Sequence, residues 1–453
     1  MNIVIVGAGV TGLTLGYLLT KRGFAVTILE KTDRVGGAAR SFDYGRWKID
    51  IGPHRIHTDD PVVHDFVCEI MQDLLIEIDR SSKVFFCDMH FEWPLNMRSV
   101  FRLPKKLILQ ACFDLLSRPS ARDDSYESYV LSRYGKTLTN HFFREYNQKF
   151  LKADLKDCHR DWAETGINRA TIDKGVKSSS IVDLLLGMLS TRQVNTKFLY
   201  PKNGAIEEFC IALQHQITSR GGRIECGVTP QRGLIDGHTI REIATADGRK
   251  WDADFVFWSG TTYELEALLG LEVSPLNYCS TVVCNLLVEG TPPVPSQWEY
   301  FGTSDFIFCR TSTNICFNPC LAPEGYYGIC AELVGYQDDF VWKNAETLLN
   351  TIVQNLIHAK VVRNFNSIVE VHFERIENTY PVYRLAYQHH LQTYTDNIKT
   401  VCNLIACGRT GGFWYNNMDH SIRSAIDIIT MIDEGQFRTT GKLPVRGVYR
   451  GNF

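Results

Sequence analysis

The sequence predicts an α/β protein: a Rossmann-type dinucleotide-binding domain, an inserted helical subdomain and a second domain on a mixed sheet. Three observations carry this expectation. The chain opens Asn2-Ile-Val-Ile-Val-Gly7-Ala-Gly9-Val-Thr11-Gly12, an apolar strand running into a glycine turn and a helix start, with Glu30 closing the next apolar run. Residues 100–190 read as mostly helical, and residues 278–374 return to strands alternating with a helix. A chain of 453 residues also exceeds what one compact core holds, so division into subdomains is expected.

In the opening unit Gly7 suits a tight turn, Gly9 lets the backbone approach a pyrophosphate, and Gly12 lets the helix pack on the strand. The helix begins near Thr11, and its unpaired N–H groups and positive dipole end favour the same pyrophosphate. A strand over Ala25–Leu29 ends at Glu30, a carboxylate placed to accept both hydroxyls of a ribose. Lys83–Cys87 is strand-like, Leu103–Leu116 helical, and Asp123-Asp124-Ser125 caps a helix over Tyr126–Arg133. A helix over Ile206–Thr218 stops at Gly221-Gly222 before the strand Arg223–Cys226. Leu234–Arg249 reads as a hairpin turning at Asp236-Gly237, and Asp254–Gly260 as a strand returning to the first sheet. A helix over Asn344–His358 lies within the second domain. Asn403–Arg409 then leads to a closing helix, Ser421–Glu434, and the tail after Gln436 reads as loosely held. The boundaries expected are 1–95 and 195–265 for two parts of the nucleotide-binding domain and 96–194 for the helical insert. Residues 266–395 form the substrate domain, 396–435 the closing segment and 436–453 the tail.

A formal net charge of −3 gives no electrostatic reason to expect nucleic acid or an anionic membrane as partner. The fourteen cysteines are scattered through apolar stretches and read as reduced thiols. Cys309, Cys316, Cys320 and Cys330 lie closer together, but without the paired CxxC knuckles of a zinc site. No apolar run approaches the roughly 20 residues that span a bilayer. The longest candidate, Ile181–Leu189, is interrupted by Asp183 and Gly187. Leu103–Leu116 reads as an ordinary packed helix, with a membrane-surface position as its alternative. The first apolar segment is used by the nucleotide-binding strand, so no signal peptide and a cytoplasmic location are expected.

After Glu30 comes Arg34-Val-Gly36-Gly37-Ala-Ala-Arg40. It resembles the second fingerprint of the flavoprotein superfamily that includes amine oxidases, protoporphyrinogen oxidases and UDP-galactopyranose mutases. The resemblance implies FAD rather than NAD, with Gly37 near the cofactor and Arg40 on its diphosphate. Gly52-Pro53-His54-Arg55-Ile56-His57-Thr58 resembles the mutases' Gly-Pro-His-Ile-Phe-His-Thr loop. That likeness implies His57 at the flavin N5 edge with His54 beside it. Gly408-Arg409 through Tyr415-Asn416-Asn417-Met418-Asp419 resembles the C-terminal flavin-binding motif of the mutase-like branch. It implies Gly408, Arg409, Asn417, Met418 and Asp419 at the flavin, with Arg409 and Tyr415 reaching the substrate diphosphate and Asp419 capping the closing helix. Tyr380-Pro-Val-Tyr383, and Phe306–Arg310 with Asn318–Gly325, extend the likeness and imply Tyr380 and Arg310 on the same phosphates. Lys31 and Val228 complete the implied cofactor contacts.

The chain also departs from the family pattern. It has Tyr146-Asn-Gln-Lys149-Phe150-Leu151 where the mutases have Tyr-Thr-Glu-Lys-x-Trp-Gly, so leucine replaces the tryptophan. Trp414 replaces an arginine, Asn417 stands where bacterial mutases often have aspartate, and Arg55 replaces an apolar residue. The resemblance implies a flavin-dependent nucleotide-sugar mutase that interconverts pyranose and furanose forms, serving cell-surface polysaccharide. In that chemistry N5 of reduced FAD attacks the anomeric carbon and the nucleoside diphosphate departs and returns. It requires a reductant such as NAD(P)H or a reductase, and it leaves open whether the chain is a homo-oligomer. The alternative is an FAD-dependent oxidase or desaturase of the amine oxidase or protoporphyrinogen oxidase type, with a long apolar pocket. A flavoprotein kept for binding, its pocket filled by Trp414, is the third reading.

Overall fold

Asn2–Val6 is buried along all but its first residue, as are Phe255–Trp258 and Leu404–Ala406 throughout. Apolar strands without polar alternation belong in a parallel sheet covered on both faces. A computed structural model, describing residues 1–93, 97–163, 197–432 and 447–448, has that sheet. Its order is Gly447–Val448, Leu404–Ala406, Phe255–Trp258, Asn2–Val6, Ala25–Glu30 and Arg223–Cys226, with every neighbouring pair parallel. The helices Val10–Lys21, Glu208–Ser219 and Met418–Met431 share one apolar core with it. Gly12 makes the first of these contacts close: a Cβ there would stand 1.9 Å from the Gly7 carbonyl oxygen.

The second sheet has seven strands and is mixed. Ile368–Pro381, Tyr278–Glu289, Tyr326–Gly335, Arg310–Thr313 and Trp298–Phe301 run antiparallel in that order. Ser82–Phe86 then adds in parallel to Trp298–Phe301, and Met89–Glu92 closes the edge. The strand expected at Lys83–Cys87 therefore pairs with the mixed sheet. After Met89–Glu92 in the chain come the helices Lys105–Leu116, Tyr126–Leu138 and Glu145–Leu151. Ser125 caps the second of these, its hydroxyl accepting from the Ser128 amide at 3.1 Å.

Three expectations change. The closing helix runs Met418–Met431 rather than Ser421–Glu434, because Asn417 and not Asp419 is its N-cap. Part of the tail is held: Gly447–Val448 pairs with Ile405 and Ala406 at the sheet edge. The helix Lys105–Leu116 buries only Leu107 and leaves Leu109, Phe113 and Leu116 exposed, so it is not an ordinary packed helix. Its Asp114 faces inward, accepting from the Thr137 amide and hydroxyl at 2.6 and 2.7 Å. Ile181–Leu189, with Lys442, Arg446 and Arg450 of the tail, lies outside the described residues.

Cys309 and Cys330 are buried, Cys316 is half-buried and Cys320 exposed. Among the described residues no group of three or more ligating side chains could hold a metal ion, and no helix is long and apolar enough to cross a membrane. Gly12→Ala is expected to destabilise the fold by about 1–3 kcal/mol, as overpacking does, measured as a lower urea midpoint at unchanged slope.

Candidate functional site

The C-terminal ends of the parallel strands open onto a cavity of about 1060 Å³. Gly7, Gly9, Thr11, Glu30, Lys31, Gly37, Arg40, Val228, Gly408, Arg409, Asn417 and Met418 all line it, each an implied cofactor residue. The first helix starts at Val10 with Gly9 as N-cap and no side chain capping it, so its first amides are left for a ligand. A Cβ on Gly9 would meet nothing nearer than the Gly37 Cα at 4.0 Å, so the two glycines form a bare floor that any side chain would fill. Beside them the Arg40 Nε is buried with no hydrogen-bond partner among the described residues. Burial first, then neighbouring Arg34, pushes its pKa down, against the smaller opposing pull of Glu30, Asp33 and Glu374.

Glu30 is more committed than its sequence role suggests. Its carboxylate accepts from the Ala8 amide at 2.8 Å and from the Thr32 amide and hydroxyl at 2.9 and 2.8 Å. A carboxylate has about four acceptor positions, so room remains for one ribose hydroxyl, not two. Lys31 is paired with Glu377 at 2.9 Å and Glu264 at 3.7 Å on the cavity wall. Val228 is fully buried, and its amide donates to the Glu30 carbonyl at 2.9 Å.

The histidine loop is pinned at both ends. Asp50 accepts from Ser41, Tyr200 and the Ile206 amide at 2.6, 2.6 and 3.0 Å. Ile56 exchanges both backbone hydrogen bonds with Leu199. Gly52 lies between, at φ +66°, with a Glu332 oxygen 2.6 Å from where its Cβ would be. Only glycine meets both demands. This loop aims His54, not His57, into the cavity. The His54 Nδ1 bonds the Ile51 carbonyl, an acceptor only, so the neutral ring presents Nε2 as a lone pair. His57 packs edge-on against Phe198 at 5.2 Å and lies outside the cavity lining. Burial, with Arg55 next, lowers its pKa.

Next to the cavity is a cluster of arginines and tyrosines. The Arg409 guanidinium stacks 5.5 Å from the Tyr380 ring and 5.7 Å from Tyr415, and donates to the carbonyls of Thr379 and Asn416 at 3.2 and 2.6 Å. Tyr380 and Tyr415 lie 5.4 Å apart. Arg310 is bidentate on Glu332 at 2.5 and 2.6 Å and reaches the Tyr380 hydroxyl at 3.4 Å. Arg310, Tyr380 and Tyr415 thus form one group joined to the cavity through Arg409 and His54, though they do not line it. At the other end, the first turn of Met418–Met431 meets the cavity through Asn417, Met418 and Ser421. Asp419 lies in that turn, 3.2 Å from His420, and is not part of the lining.

Leu151 is fully buried in the core, and Lys149 donates to the carbonyls of Phe301, Thr303 and Phe306 at 2.8–2.9 Å. Both have structural places. Trp414 packs edge-on to His420 and is absent from the cavity lining. Sequence reasoning missed Ser259, Gly260, Asn378 and Thr379, which do line the cavity. Ser259 and Gly260 could have been found, since they follow directly on a parallel strand's C-terminal end, where such sheets bind ligands.

Burial first, then Arg409 and Arg310, pushes His54 down to about 3. Unfolded, it takes its proton near the ordinary value of about 6.5. The unfolded chain therefore binds more protons between these values, and this contribution to stability, complete above about pH 6.5, is lost as pH falls. Asp50 acts oppositely, because burial raises it to about 6 and its folded form protonates first. His54→Gln is expected to flatten the loss of unfolding free energy between about pH 6.5 and 4, read from urea titrations at each pH.

Residues 5–70 match the family described as NAD(P)-binding Rossmann-like domain. An L-amino-acid oxidase of Sistrurus catenatus edwardsii is 40% identical over 66 residues, spanning 15% of this chain and 13% of the oxidase. A "Probable UDP-galactopyranose mutase" of Klebsiella pneumoniae is 28% identical over 162 residues, spanning 33% of this chain and 40% of the mutase. The chain thus spans less than half the length of either relative in these matches. The crystal structure of reduced UDP-galactopyranose mutase superposes with a TM-score of 0.81 at 20% identity, covering 97% of each chain. Across 97% of its length, the chain thus has the fold of UDP-galactopyranose mutase, with a Rossmann-like nucleotide-binding segment at residues 5–70.

Proposed function

We propose that this protein is a flavin-dependent mutase interconverting pyranose and furanose forms of a nucleotide sugar. The observation carrying the reading is the junction of two sites: a dinucleotide cavity whose wall includes His54 and Arg409, continuous with the Arg310–Tyr380–Tyr415 cluster. The full-length likeness to a reduced mutase supports it. The oxidase match spans only 66 residues, 13% of the oxidase, so it does not favour the oxidase reading.

The residues present fit FAD. The bare Gly9–Gly37 floor, the first-helix amides and the partnerless Arg40 would hold the pyrophosphate, and Glu30 one ribose hydroxyl. The amides at Asn417–Met418 would face the electron-rich end of the flavin ring. Reduced flavin, when bound, supplies the nucleophile for the anomeric carbon. The chain's own work is then positioning and electrostatics. Arg409, braced by two carbonyls and two tyrosine rings, is fixed to face the substrate phosphates. Neutral His54 offers Nε2 to a substrate hydroxyl, taking its proton as that oxygen closes the ring on the anomeric carbon and giving a proton back to the ring oxygen as the ring opens.

Arg40→Met is expected to lower flavin affinity about tenfold or more, through loss of charge-assisted hydrogen bonds worth roughly 1.5–3 kcal/mol, measured by flavin titration of apoprotein. The activity is tested by anaerobic reduction, incubation with UDP-, GDP- and dTDP-hexoses and trapping with cyanoborohydride. Flavin recovered heavier by one sugar supports the mutase. Unmodified flavin across the panel, with turnover coupled to an amine or polyene, moves the protein to the oxidases.

A further inference from the structure

Two guanidinium groups next to this site have no role in the reading above. Arg55 stands between the loop histidines, where the family likeness has an apolar residue. Its guanidinium lies 4.4 Å from the Trp298 ring and 5.0 Å from Phe198, and its Nη1 donates to the Pro53 carbonyl at 2.9 Å. Its Nε is buried without a hydrogen-bond partner among the described residues, and so is the indole N–H of Trp298. Arg80 reaches the same indole at 5.4 Å, with its Nε donating to Ser82 at 3.0 Å.

Among the described residues neither arginine has an ion pair with a carboxylate. Arg55 is instead pushed down to about 10, by burial first and with Arg80 and Arg310 both adding like charge. Two desolvated cations and two orphaned donors side by side are costly unless an anion joins them. Arg310 differs. Its charge is already cancelled by the bidentate Glu332, so it brings no net charge to a phosphate. Within the cluster the cations without a carboxylate are Arg55, Arg80 and Arg409.

We propose that Arg55 and Arg80, together over Trp298, form the anion site that neutralises the nucleoside diphosphate as it leaves the anomeric carbon, with Arg310 a positioning residue held by Glu332. This rests on the nucleotide-sugar reading. When the bond from the anomeric carbon to the phosphate oxygen breaks, its electron pair stays on that oxygen, and the nucleophile of the proposed reaction makes the replacing bond to carbon. The diphosphate therefore leaves one charge more negative than its sugar ester. Cations not already paired favour the departing ion over the ester, which is how binding lowers a barrier. Arg55 adjoins His54 in sequence, so the loop that aims the histidine into the cavity also places this charge.

The test is isothermal titration of flavin-loaded protein with UDP, GDP and dTDP and with their hexose esters. Wild type is expected to bind one free nucleoside diphosphate about tenfold or more tighter than its ester, as charge-assisted contacts allow. Arg55→Met is expected to lose about tenfold in affinity for that diphosphate and to change ester affinity far less, with Arg55→Lys recovering part of the loss. Arg80→Gln is expected to act in the same sense and decides the matter where Arg55→Met fails to retain flavin or its melting temperature. Folded variants that bind the diphosphate as wild type does overturn this assignment alone. Wild-type protein that binds neither diphosphates nor esters overturns the nucleotide-sugar reading, and this assignment with it.

Discussion

The backbone of Ala8 is the joint on which the cofactor side of the molecule depends. Its N–H donates to the Glu30 carboxylate and its carbonyl accepts from the Gly36 amide, both at 2.8 Å. One residue, through its two flanking peptide groups, thereby ties the first glycine turn to the end of the second strand and to the second glycine turn. The approach of Gly9 to Gly36 and Gly37 follows from it. A hydrogen bond to a buried carboxylate contributes roughly 1.5–3 kcal/mol, more than an ordinary turn bond. Glu30 is therefore a structural acid first, and its capacity for a ribose is what remains.

The substrate side has a second joint of different character. Glu332 lies in the middle of the mixed sheet, bidentate on Arg310 and packed against Gly52 of the histidine loop. A buried ion pair of this kind adds little net stability, since desolvation offsets most of its Coulomb gain. It fixes geometry, holding the loop, the sheet and Tyr380 in one register. The two joints meet where His54 and Arg409 enter the cavity wall.

What was legible in the sequence is what local chemistry dictates. The glycine turns, Glu30 and Arg40 follow from backbone geometry around one strand–turn–helix unit, and spacing along the chain records it. The choice between His54 and His57 was not legible: both lie in one loop, and only pairing of Ile56 with Leu199 and packing of His57 on Phe198 decide which faces inward. The cancellation of Arg310 by Glu332 is likewise a pairing between neighbouring strands that no local pattern announces. The outward apolar residues of Lys105–Leu116 show the same limit, because periodicity finds an apolar stripe without saying what covers it.

The parallel sheet has a further consequence, for the order in which the molecule is made. Asn2–Val6 gains one neighbour almost at once, from Ala25–Glu30, but its other neighbour is Phe255–Trp258, and that strand in turn waits for Leu404–Ala406. During synthesis the central strand therefore emerges early with one apolar edge open and keeps it open until more than half the chain has followed. Non-local parallel pairing of this kind folds slowly and exposes an edge meanwhile. The cavity, whose wall runs from Val6 to Ser421, is consequently among the last features of the protein to be completed.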